Sequence, residues 1–473
     1  MTAPQTTSLA QPAYSEQECQ IGIVHIGFGA FHRAHQAVYV DDYMAQSGDL
    51  RWGIAAVNLR AAEAENFAKS AANKDGYVLK TISAAGETNN RVVKAHRAFL
   101  DWSTDRAATE AVLSNPSVHM VSITVTESGY YLDDAGKLNT ADPIIAAELN
   151  GETPKSIYGY LANSLRLRMN SDGGKITIMC CDNIRHNGTM LRTNLMAYLT
   201  LSGQKDLADW LGQNASFPCS MVDRITPRPP AELSGEIEAL FGRKNDQAVM
   251  GEDFIQWVIE DDFAGPMPDL TKVGATVTKN VDPYEETKIR ILNGGHTCLT
   301  YLGALAGYKT FDQAMFDPEL FDHFWSYETK EVLPAITIDL PFDKVKYLEK
   351  IAERFKNQNI ADSVERICAD GYSKFPIFIQ PTLAGCLKQG IMPIHGIRSI
   401  ASWYVFAKRV KTGQLQAGYN EPNAQHLNPL LEDGAETTFA KSEMLWADLP
   451  KKYPEFATEI LTQIKEMDTR WPV

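Results

Sequence analysis

The chain carries, at residues 282 to 296, the stretch Asp282-Pro-Tyr-Glu-Glu-Thr-Lys-Ile-Arg-Ile-Leu-Asn-Gly-Gly-His296. Its start predicts a helix, because Asp282 suits the N-cap, Pro283 suits the first helical position and Glu285 completes a capping box. At about 100° per residue, four polar side chains fall within one sector about 140° wide: Glu285, Lys288, Asn293 and His296. The stretch therefore predicts a helix that carries all four of these polar side chains on one face.

Two adjacent glycines, Gly294 and Gly295, lie inside the same predicted helix. Each costs about 1 kcal/mol relative to alanine in a helix interior, so we expect that something, such as a ligand, approaches the backbone closely there. The periodicity alone also fits an amphipathic helix with a solvated charged face and a glycine break near its end.

The side chains of Lys288, Asn293 and His296 favour a catalytic role for this helix. In a water-poor cleft the pKa of a lysine falls, so that its neutral amine can act as a base. An amide beside it can donate a hydrogen bond to an oxyanion, and an imidazole can orient a hydroxyl. The stretch therefore predicts a site that removes a proton from an alcohol.

Length and charge limit the architecture and the partners. At 473 residues the chain is too long for one ordinary core, so two large domains are predicted. Apolar residues make up 44% and charged residues 22%, which is typical of a soluble globular protein. The formal charge of −14 argues against a nucleic-acid partner, because phosphate binding needs a basic surface.

The seven cysteines are scattered, and Cys180-Cys181 is the only close pair. The sequence therefore predicts neither a disulfide framework nor a CxxC metal site, and reduced thiols fit a cytoplasmic protein. Residues 1 to 19 lack the charged and apolar regions of an export signal, and no apolar run has membrane-spanning length. We expect a soluble protein that is neither exported nor bound to a membrane.

A dinucleotide-binding turn is predicted near the N-terminus. Residues Ile21 to Ile26 form a predicted buried strand, and Gly27-Phe-Gly29 follows before a predicted helix through Val38 to Met44. In such a turn, backbone amides at the start of the helix hold a pyrophosphate. A plain tight turn is the alternative, because His32 replaces the third glycine of the general fingerprint. His32 and His35 lack an evident third metal ligand, so hydrogen-bonded structural roles are favoured over a metal site.

The end of the second predicted strand, Trp52 to Val57, bears on the choice between NAD and NADP. An acid there would hold the ribose 2′-hydroxyl of NAD and repel the extra phosphate of NADP. Glu63 is the first acid to follow, whereas Arg60 could meet a 2′-phosphate. NAD is the predicted cofactor and NADP the alternative, and Glu63 could also simply begin a solvated helix.

Strand and helix patterns alternate up to about residue 280, after which helical periodicity dominates. Three further strands are predicted: Tyr77 to Ile82, Met120 to Thr124, and Ile176 to Cys181. Pro218 to Pro230 is rich in proline and is predicted to be a loop. The fold class is therefore α/β. We predict a Rossmann-like domain with a mostly parallel sheet over residues 1–280, a mainly α-helical domain over 281–473, and the active site between them.

Six blocks of the sequence resemble the polyol-specific long-chain dehydrogenase/reductase family, the mannitol 2-dehydrogenase-like proteins. The first is the pattern Lys-x-x-x-x-Asn-x-x-His, formed here by Lys288, Asn293 and His296. The other five are Ile23 to His35, Thr124 to Tyr130, Cys181 to Gly188, Ser216 to Pro227, and Ser373 to Pro376. One block would be only suggestive, whereas six together are specific.

The resemblance implies an NAD(P)-dependent oxidoreductase that interconverts a sugar alcohol, of the mannitol or D-arabinitol type, and its ketose without a metal. It implies Lys288 as the general base, Asn183 and Asn293 as donors to the alkoxide, His296 as the group that orients the hydroxyl, and Glu285 as a proton relay. The residues predicted to bind the cofactor are Gly27, Gly29, Phe31, His32, Arg33, Glu63, Thr126 and Glu127. Those predicted to bind the substrate are Asp223, Arg366 and Lys374.

Several of these assignments have a structural alternative. Asn187 lies close to Asn183, which is preferred because it follows its predicted strand immediately. Thr126-Glu127 could cap the next element, Glu285 could be only a helix cap, Asp223 could pair with Arg224, and Arg366 and Lys374 could form surface ion pairs.

Two other functions also remain open. A sugar-acid reductase of the same family, similar to fructuronate reductase, would need cationic groups aimed at a carboxylate. A nicotinamide-binding sensor without turnover is the non-enzymatic alternative. The resemblance further implies a monomer.

Overall fold

The computed structural model describes residues 8–133, 135–244 and 246–471, and these form two compact units. The first unit extends to Asp282, except for residues 84–86, which belong with the second unit from Pro283 onward. The predicted domain boundary at residue 280 lies close to this division.

Among the residues that the structure describes, strands lie only in the first unit. In chain order they are β1 (Leu9–Ala10), β2 (Ile21–Ile26), β3 (Gly53–Asn58), β4 (Tyr77–Ile82), β5 (Thr88–Val93), β6 (His96–Asp101), β7 (Met120–Ile123), β8 (Ile176–Cys180), β9 (Ala215–Ser216), β10 (Ser220–Asp223), β11 (Val249–Glu252), β12 (Gln256–Glu260) and β13 (Thr276–Thr278).

The central sheet has six strands in the order β6-β3-β2-β7-β8-β9, and every neighbouring pair is parallel. Counted along the chain, these strands follow the order 3-2-1-4-5-6 of a doubly wound dinucleotide-binding sheet. The predicted mostly parallel sheet is confirmed. The strand order reverses between β2 and β7, which is where such sheets bind their ligands.

Two smaller sheets depart from the sequence-based prediction. Strand β4 was expected in the parallel sheet, but it pairs antiparallel with β5 in a four-stranded sheet of order β1-β5-β4-β11. Strand β10 lies inside the predicted loop of residues 218–230 and pairs antiparallel with β12. Its four residues are too few to show periodicity beside the prolines that follow.

The first unit contains both α-helices and short 3-10 turns. The α-helices are Ala30–Ala34, Gln36–Ser47, Ala64–Ala72, Arg106–Ala111, Pro143–Leu149, Ile157–Asn170, Asn187–Leu201, Lys205–Asn214 and Leu233–Phe241. The 3-10 turns are Glu16–Glu18, Leu50–Trp52, Ala61–Glu63, Val112–Ser114, Glu127–Tyr130 and Leu270–Val273.

The second unit is helical, as predicted. Its α-helices are Asp282–Thr287, Gly294–Leu305, Phe311–Phe316, Pro318–Tyr327, Leu333–Ala335, Lys344–Phe355, Val364–Cys368, Gly371–Lys374, Gln380–Lys388, Ile394–Lys411, Ala424–Leu427, Glu436–Ala440, Glu443–Trp446, Leu449–Lys452 and Pro454–Arg470, with a 3-10 turn at Asn428–Leu431. Three π-helical segments interrupt them: Lys288–Asn293, Glu328–Val332 and Phe375–Ile379.

One apolar core holds the second unit together. The long helix Ile394–Lys411 packs on both Gly294–Leu305 and the C-terminal helix Pro454–Arg470. Aromatic side chains fill the space between them, and the rings of Phe375 and Trp403 stack at 4.5 Å between centroids. The helix that carries Lys288 therefore continues into a segment anchored in the centre of this core.

Two sequence-based expectations concern the whole chain. In the part of the chain that the structure describes, no helix combines the length and apolar character needed to cross a bilayer. Within the same residues, no cysteine takes part in a disulfide.

Candidate active site

The glycine turn after β2 is shaped by its neighbour at the end of β7. Gly27 has a φ of +98°, and a Cβ atom there would overlap the carbonyl oxygen of Thr124. The amide of Gly29 donates to the carbonyl oxygen of Gly27 at 2.8 Å, and a Cβ at Gly29 would meet no protein atom within 4 Å. The turn is thus closed against the sheet at Gly27 and open at Gly29, which fits a backbone that a pyrophosphate approaches from outside.

Two buried histidines, His25 and His32, and the partly buried His96 support this turn from inside the unit. His25 contacts the Ser122 hydroxyl at 2.8 Å through Nδ1, and the carbonyl oxygen of Gly27 and the Thr124 hydroxyl at 2.9 Å through Nε2. The ring of His32 stacks on that of His25 at 3.3 Å, and its Nε2 lies 2.9 Å from Nε2 of His96. This position supports the structural role considered for His32.

Burial keeps these imidazoles neutral, which predicts an acid-dependent loss of stability. Desolvation lowers the pKa of His25 from 6.5 to about 3. Below pH 6.5 the unfolded chain therefore binds a proton that the folded chain does not accept until about pH 3. The stability that His25 contributes through its neutral form is complete above pH 6.5 and declines as the pH falls, by about 1.4 kcal/mol per pH unit.

We expect His25→Asn to reduce the slope of unfolding free energy against pH between pH 5 and pH 6 by about 1.4 kcal/mol per unit. Urea unfolding at several pH values measures both slopes. Equal slopes in the variant and the unmodified protein would show that His25 is protonated alike in the folded and unfolded states.

Two further residues of the predicted cofactor turn, Phe31 and Arg33, pack within the first unit. The Phe31 ring stacks on His35, with 5.0 Å between centroids, and His35 Nε2 contacts the carbonyl oxygen of Gln256 at 2.8 Å. The Arg33 guanidinium donates to the carbonyl oxygen of Gln247 at 2.5 Å and lies 5.2 Å from the centre of the Phe28 ring. A direct contact of either side chain with a cofactor stays a prediction.

The turn after β3 exposes the two residues that bear on NAD or NADP. The side chain of Asn58 accepts from the Arg60 amide at 3.1 Å and donates to the Arg60 carbonyl at 2.9 Å, which fixes the turn. Arg60 and Glu63 are both exposed beyond it, and Glu63 ends a 3-10 turn. The geometry leaves either residue able to meet the 2′-position of a ribose.

Asp182, to which the sequence analysis gave no role, organises the ends of β7 and β8. Its carboxylate accepts from the amides of Val125 at 2.8 Å and Thr126 at 3.1 Å and from the Tyr130 hydroxyl at 2.6 Å. Thr126 has a φ of +66°, which these bonds hold in place. Thr126 and Glu127 are exposed at this turn. An acid directly after a strand was the available signal for Asp182.

The structure separates the two asparagines that follow β8. Asn187 is buried, and its side chain donates to the carbonyl oxygens of Asp182 and Ser220 and accepts from the Ser220 amide at 2.9 Å. This carboxamide is therefore committed to the backbone. Asn183 is exposed three residues after the end of β8, and its role as a donor to the alkoxide stays a prediction.

Asp223 ends strand β10 and is buried. The neighbouring Arg224 donates to the carbonyl oxygens of Glu252 at 2.9 Å and Ala34 at 2.6 Å, and thereby joins three parts of the first unit. Arg224 thus has a clear structural role, and substrate binding by Asp223 stays a prediction.

The predicted helix of residues 282–296 is present, but its geometry changes at the candidate base. It begins at Asp282 as an α-helix, becomes π-helical over Lys288–Asn293 and resumes as an α-helix at Gly294. In a π-helix the hydrogen bond joins residues five apart, so Lys288 and Asn293 lie on one side of the helix. In a regular α-helix, which turns by about 100° per residue, the side chains of Lys288 and Asn293 would point about 140° apart. The π-helix therefore brings amine and amide closer in direction than predicted.

The face with Lys288 is buried. Lys288 is 6% exposed, Glu285 7% and Asn293 9%, which rules out the solvated charged face considered as an alternative. The Asn293 side-chain nitrogen Nδ2 is buried and has no hydrogen-bond acceptor among the described residues. A buried amide donor costs free energy unless an acceptor arrives, so Asn293 is suited to receive an oxygen from outside the chain.

His296 lies between two aromatic rings. It stacks on Phe355 at 4.0 Å and meets the edge of Phe311 at 4.6 Å between centroids. Burial lowers its pKa well below the usual value, and the positive charges of Arg366, Arg354 and Lys374 lower it further. His296 is therefore neutral and can exchange hydrogen bonds as a donor or an acceptor.

The two glycines after Asn293 admit protein groups, which corrects the expectation of a ligand and of a helix break there. A Cβ on Gly295 would lie 2.8 Å from both Glu328 Oε1 and the Phe324 ring, and a Cβ on Gly294 would lie 3.2 Å from the carbonyl oxygen of Phe378. Both glycines are helical. They permit close packing of the neighbouring helices.

Glu328, which carried no signal in the sequence, is fully buried behind Gly295. Both of its carboxyl oxygens lack a hydrogen-bond partner among the described residues. Burial raises the pKa of this carboxyl group well above the usual value, against the opposing charge of Arg290, and so favours its uncharged form. The burial of a single acid within an amphipathic helix cannot be predicted from the sequence pattern.

Of the predicted substrate residues in the second unit, Arg366 forms an ion pair with Asp362, and its Nε lies 2.7 Å from Oδ1. Lys374 donates to the carbonyl oxygen of Ile367 at 2.9 Å. The ion-pair alternative is therefore observed for Arg366. Both side chains still add positive charge around His296.

Family comparisons cover nearly the whole chain. A family model described as the mannitol dehydrogenase Rossmann domain matches residues 21–272. A second, described as the mannitol dehydrogenase C-terminal domain, matches residues 280–468. The two matches meet close to the division between the compact units.

Individual relatives agree with these matches. The chain is 38% identical over 433 residues to D-arabinitol 4-dehydrogenase of Klebsiella pneumoniae, covering 90% of this chain and 94% of the relative. It is 36% identical over 434 residues to mannitol 2-dehydrogenase of Cereibacter sphaeroides, covering 91% and 90%. Its fold is similar to that of Pseudomonas fluorescens mannitol 2-dehydrogenase, solved with NAD and D-mannitol, with a TM-score of 0.88, 33% identity, and coverage of 99% and 95%.

Proposed function

Because the chain belongs to the mannitol dehydrogenase family, we propose that it is an NAD(P)-dependent polyol 2-dehydrogenase. It oxidises a secondary alcohol of an acyclic sugar alcohol, of the mannitol or D-arabinitol type, to the ketose and catalyses the reverse reduction. The similarity of the chain to D-arabinitol 4-dehydrogenase and mannitol 2-dehydrogenase supports this proposal.

The observation that carries the proposal is the buried side-chain nitrogen of Asn293, which lies on the π-helix of Lys288 and has no acceptor among the described residues. A donor kept without an acceptor is arranged for charge that develops during a reaction. An amine on the same side of the helix can create that charge by taking the hydroxyl proton. An alcohol oxygen is the reactant that needs both groups.

In the proposed mechanism, the neutral amine of Lys288 removes the hydroxyl proton as the adjacent carbon gives up a hydride. Asn293 donates to the developing alkoxide, and Asn183 of the first unit supplies a second neutral donor. His296 orients the hydroxyl, and Glu285 passes the proton from Lys288 toward solvent. Two amides and an amine thereby replace the charge that a metal would provide.

The residues of the first unit suit NAD as the cofactor, which when bound supplies the nicotinamide ring that accepts the hydride. The open side of Gly29 and the positive φ of Gly27 fit close approach of a pyrophosphate. Glu63 would hold the ribose 2′-hydroxyl of NAD, and Arg60 is the residue that would allow NADP.

Asn293→Ala should lower kcat for polyol oxidation by about 100-fold, which is the effect of removing one oxyanion donor. The dissociation constant of NAD should be unchanged, because the substitution lies in the second unit. Initial rates over a range of polyol concentrations separate kcat from KM. A change confined to KM would show that Asn293 only binds the substrate.

A sugar-acid reductase is the second candidate, because Arg366, Arg354 and Lys374 surround His296 with positive charge. An absorbance assay of the nicotinamide band with NAD and NADP, and with mannitol, D-arabinitol and fructuronate, distinguishes the two activities. We expect turnover with a polyol. Turnover with fructuronate alone would favour the reductase, and no turnover with any substrate would favour a nicotinamide-binding sensor.

A further inference from the structure

The first unit contains a pocket of about 340 Å³ that the proposed reaction does not use. It lies against β6 and is lined by the end of the helix Ala64–Ala72, the residues just after it and the segment before β6. Phe28 lines it, whereas Gly27 and Gly29 do not. The pocket is therefore adjacent to the cofactor turn and separate from its open side.

Four basic side chains line this pocket: Arg33, Lys74, Lys94 and Arg97. Among the residues that the structure describes, no carboxylate lines it. The acid buried close by, Asp246, is committed to Arg243 at 2.6 Å and to the Val78 amide at 2.9 Å. A concentration of positive charge in a chain of net charge −14 indicates an anionic ligand.

Arg33 is a partly buried member of this basic group. Its guanidinium donates to a backbone carbonyl, that of Gln247, and its Nε atom is buried without an acceptor among the described residues. Burial lowers its pKa from the usual value, and the charges of Tyr77 and Asp246 offset that shift only in part. An anion in the pocket would offset the cost of keeping this charge away from water.

Aromatic side chains form the rest of the wall. Phe28, Tyr77 and Phe99 all line the pocket, and the Phe28 ring meets the edge of Phe99 at 5.3 Å between centroids. Ser70 and Asn73 add neutral polar groups. The lining thus combines a strongly charged part with an apolar part, as in pockets that bind an organic molecule by one ionised group.

We propose that this pocket binds a small phosphate monoester. Four basic side chains match a group that carries about −1.5 to −2 charge at neutral pH better than a single carboxylate. Arginine and lysine are the side chains that bind phosphate oxygens. The volume is at the lower end of the range of about 300–1,000 Å³ for ligand pockets, so the organic part is small.

The test is calorimetric titration of the full-length protein with inorganic phosphate and with glucose 6-phosphate. Saturating NAD is present throughout, so that the pyrophosphate site is filled. We expect glucose 6-phosphate to bind more tightly than phosphate, and glucose not to bind. No binding of either phosphate compound would overturn the proposal. Equal affinity for the two would show a site for an inorganic ion only, which also contradicts it.

Variants locate the site. Lys94→Gln and Arg97→Gln should each weaken glucose 6-phosphate binding by about tenfold, which corresponds to about 1.4 kcal/mol. The Lys94 amide that donates to Asp41 at 2.8 Å is retained, so the fold should persist, as thermal unfolding will check. Lys69→Gln is the matched control, because Lys69 lies outside the pocket in an exposed pair with Glu65. Equal affinity in all variants would place the anion elsewhere and refute the proposal.

Discussion

Lys288→Ala is expected to reduce kcat for polyol oxidation by several orders of magnitude, since a general base contributes about 10²- to 10⁴-fold and the amine here is the proposed proton acceptor. The dissociation constant of NAD should hardly change. The side chain is buried and belongs to the same π-helix as Asn293. Stopped-flow and steady-state rates measure the loss.

The matched control is Lys309→Ala, which removes the same side chain from an exposed position of the second unit and should retain full activity. A second readout is the pH profile. In the unmodified enzyme, kcat should fall at low pH as the base becomes protonated. The residual kcat of Lys288→Ala should not show this fall. If Lys288→Ala keeps most of its activity with an unchanged profile, another group removes the proton.

The second large effect is expected at the glycine turn. Gly27→Ala should destabilise the protein by at least about 2 kcal/mol, because an alanine would be held at a positive φ and its Cβ would overlap the Thr124 carbonyl. Thermal unfolding and the yield of soluble protein measure this loss.

Gly29→Ala separates stability from cofactor binding at the same turn. Its Cβ meets no protein atom within 4 Å, so unfolding should be unchanged. The methyl group would instead occupy the side from which a pyrophosphate approaches, and we expect NAD affinity to fall by about tenfold or more. Unchanged NAD affinity in Gly29→Ala would mean that the cofactor does not contact this turn.

The sequence predicted the strands that are buried on both faces and missed those at the margins. Residues Ile21 to Ile26 and Ile176 to Cys181 are mostly apolar, broken only by Gly22, His25 and Thr177, and both runs lie in the central sheet. Strand β6 is the half-buried edge of that sheet and contains histidine, arginine and aspartate. It therefore has no apolar run from which a strand could be predicted. Strand β5 pairs with β4 as a hairpin across residues 83–87, but it begins with the polar run Thr88-Asn-Asn-Arg91, so no apolar pattern marked it as a strand.

The candidate site was predicted in composition but not in geometry. The residue types and spacing of Lys288, Asn293 and His296 indicated alcohol chemistry. A sequence pattern that repeats every 3.6 residues cannot, however, distinguish an α-helix from one with a π-helical turn. The distinction between Asn183 and Asn187 likewise required the hydrogen bonds of Asn187 to the backbone. That Glu328 is a buried acid could be recognised only from the side chains packed around it in the structure.

The π-helix at residues 288–293 contacts the two others, at 328–332 and 375–379. A turn closed five residues apart accommodates one more residue than an α-helical turn. Homologues can therefore differ in length by single residues inside these helices without losing the fold.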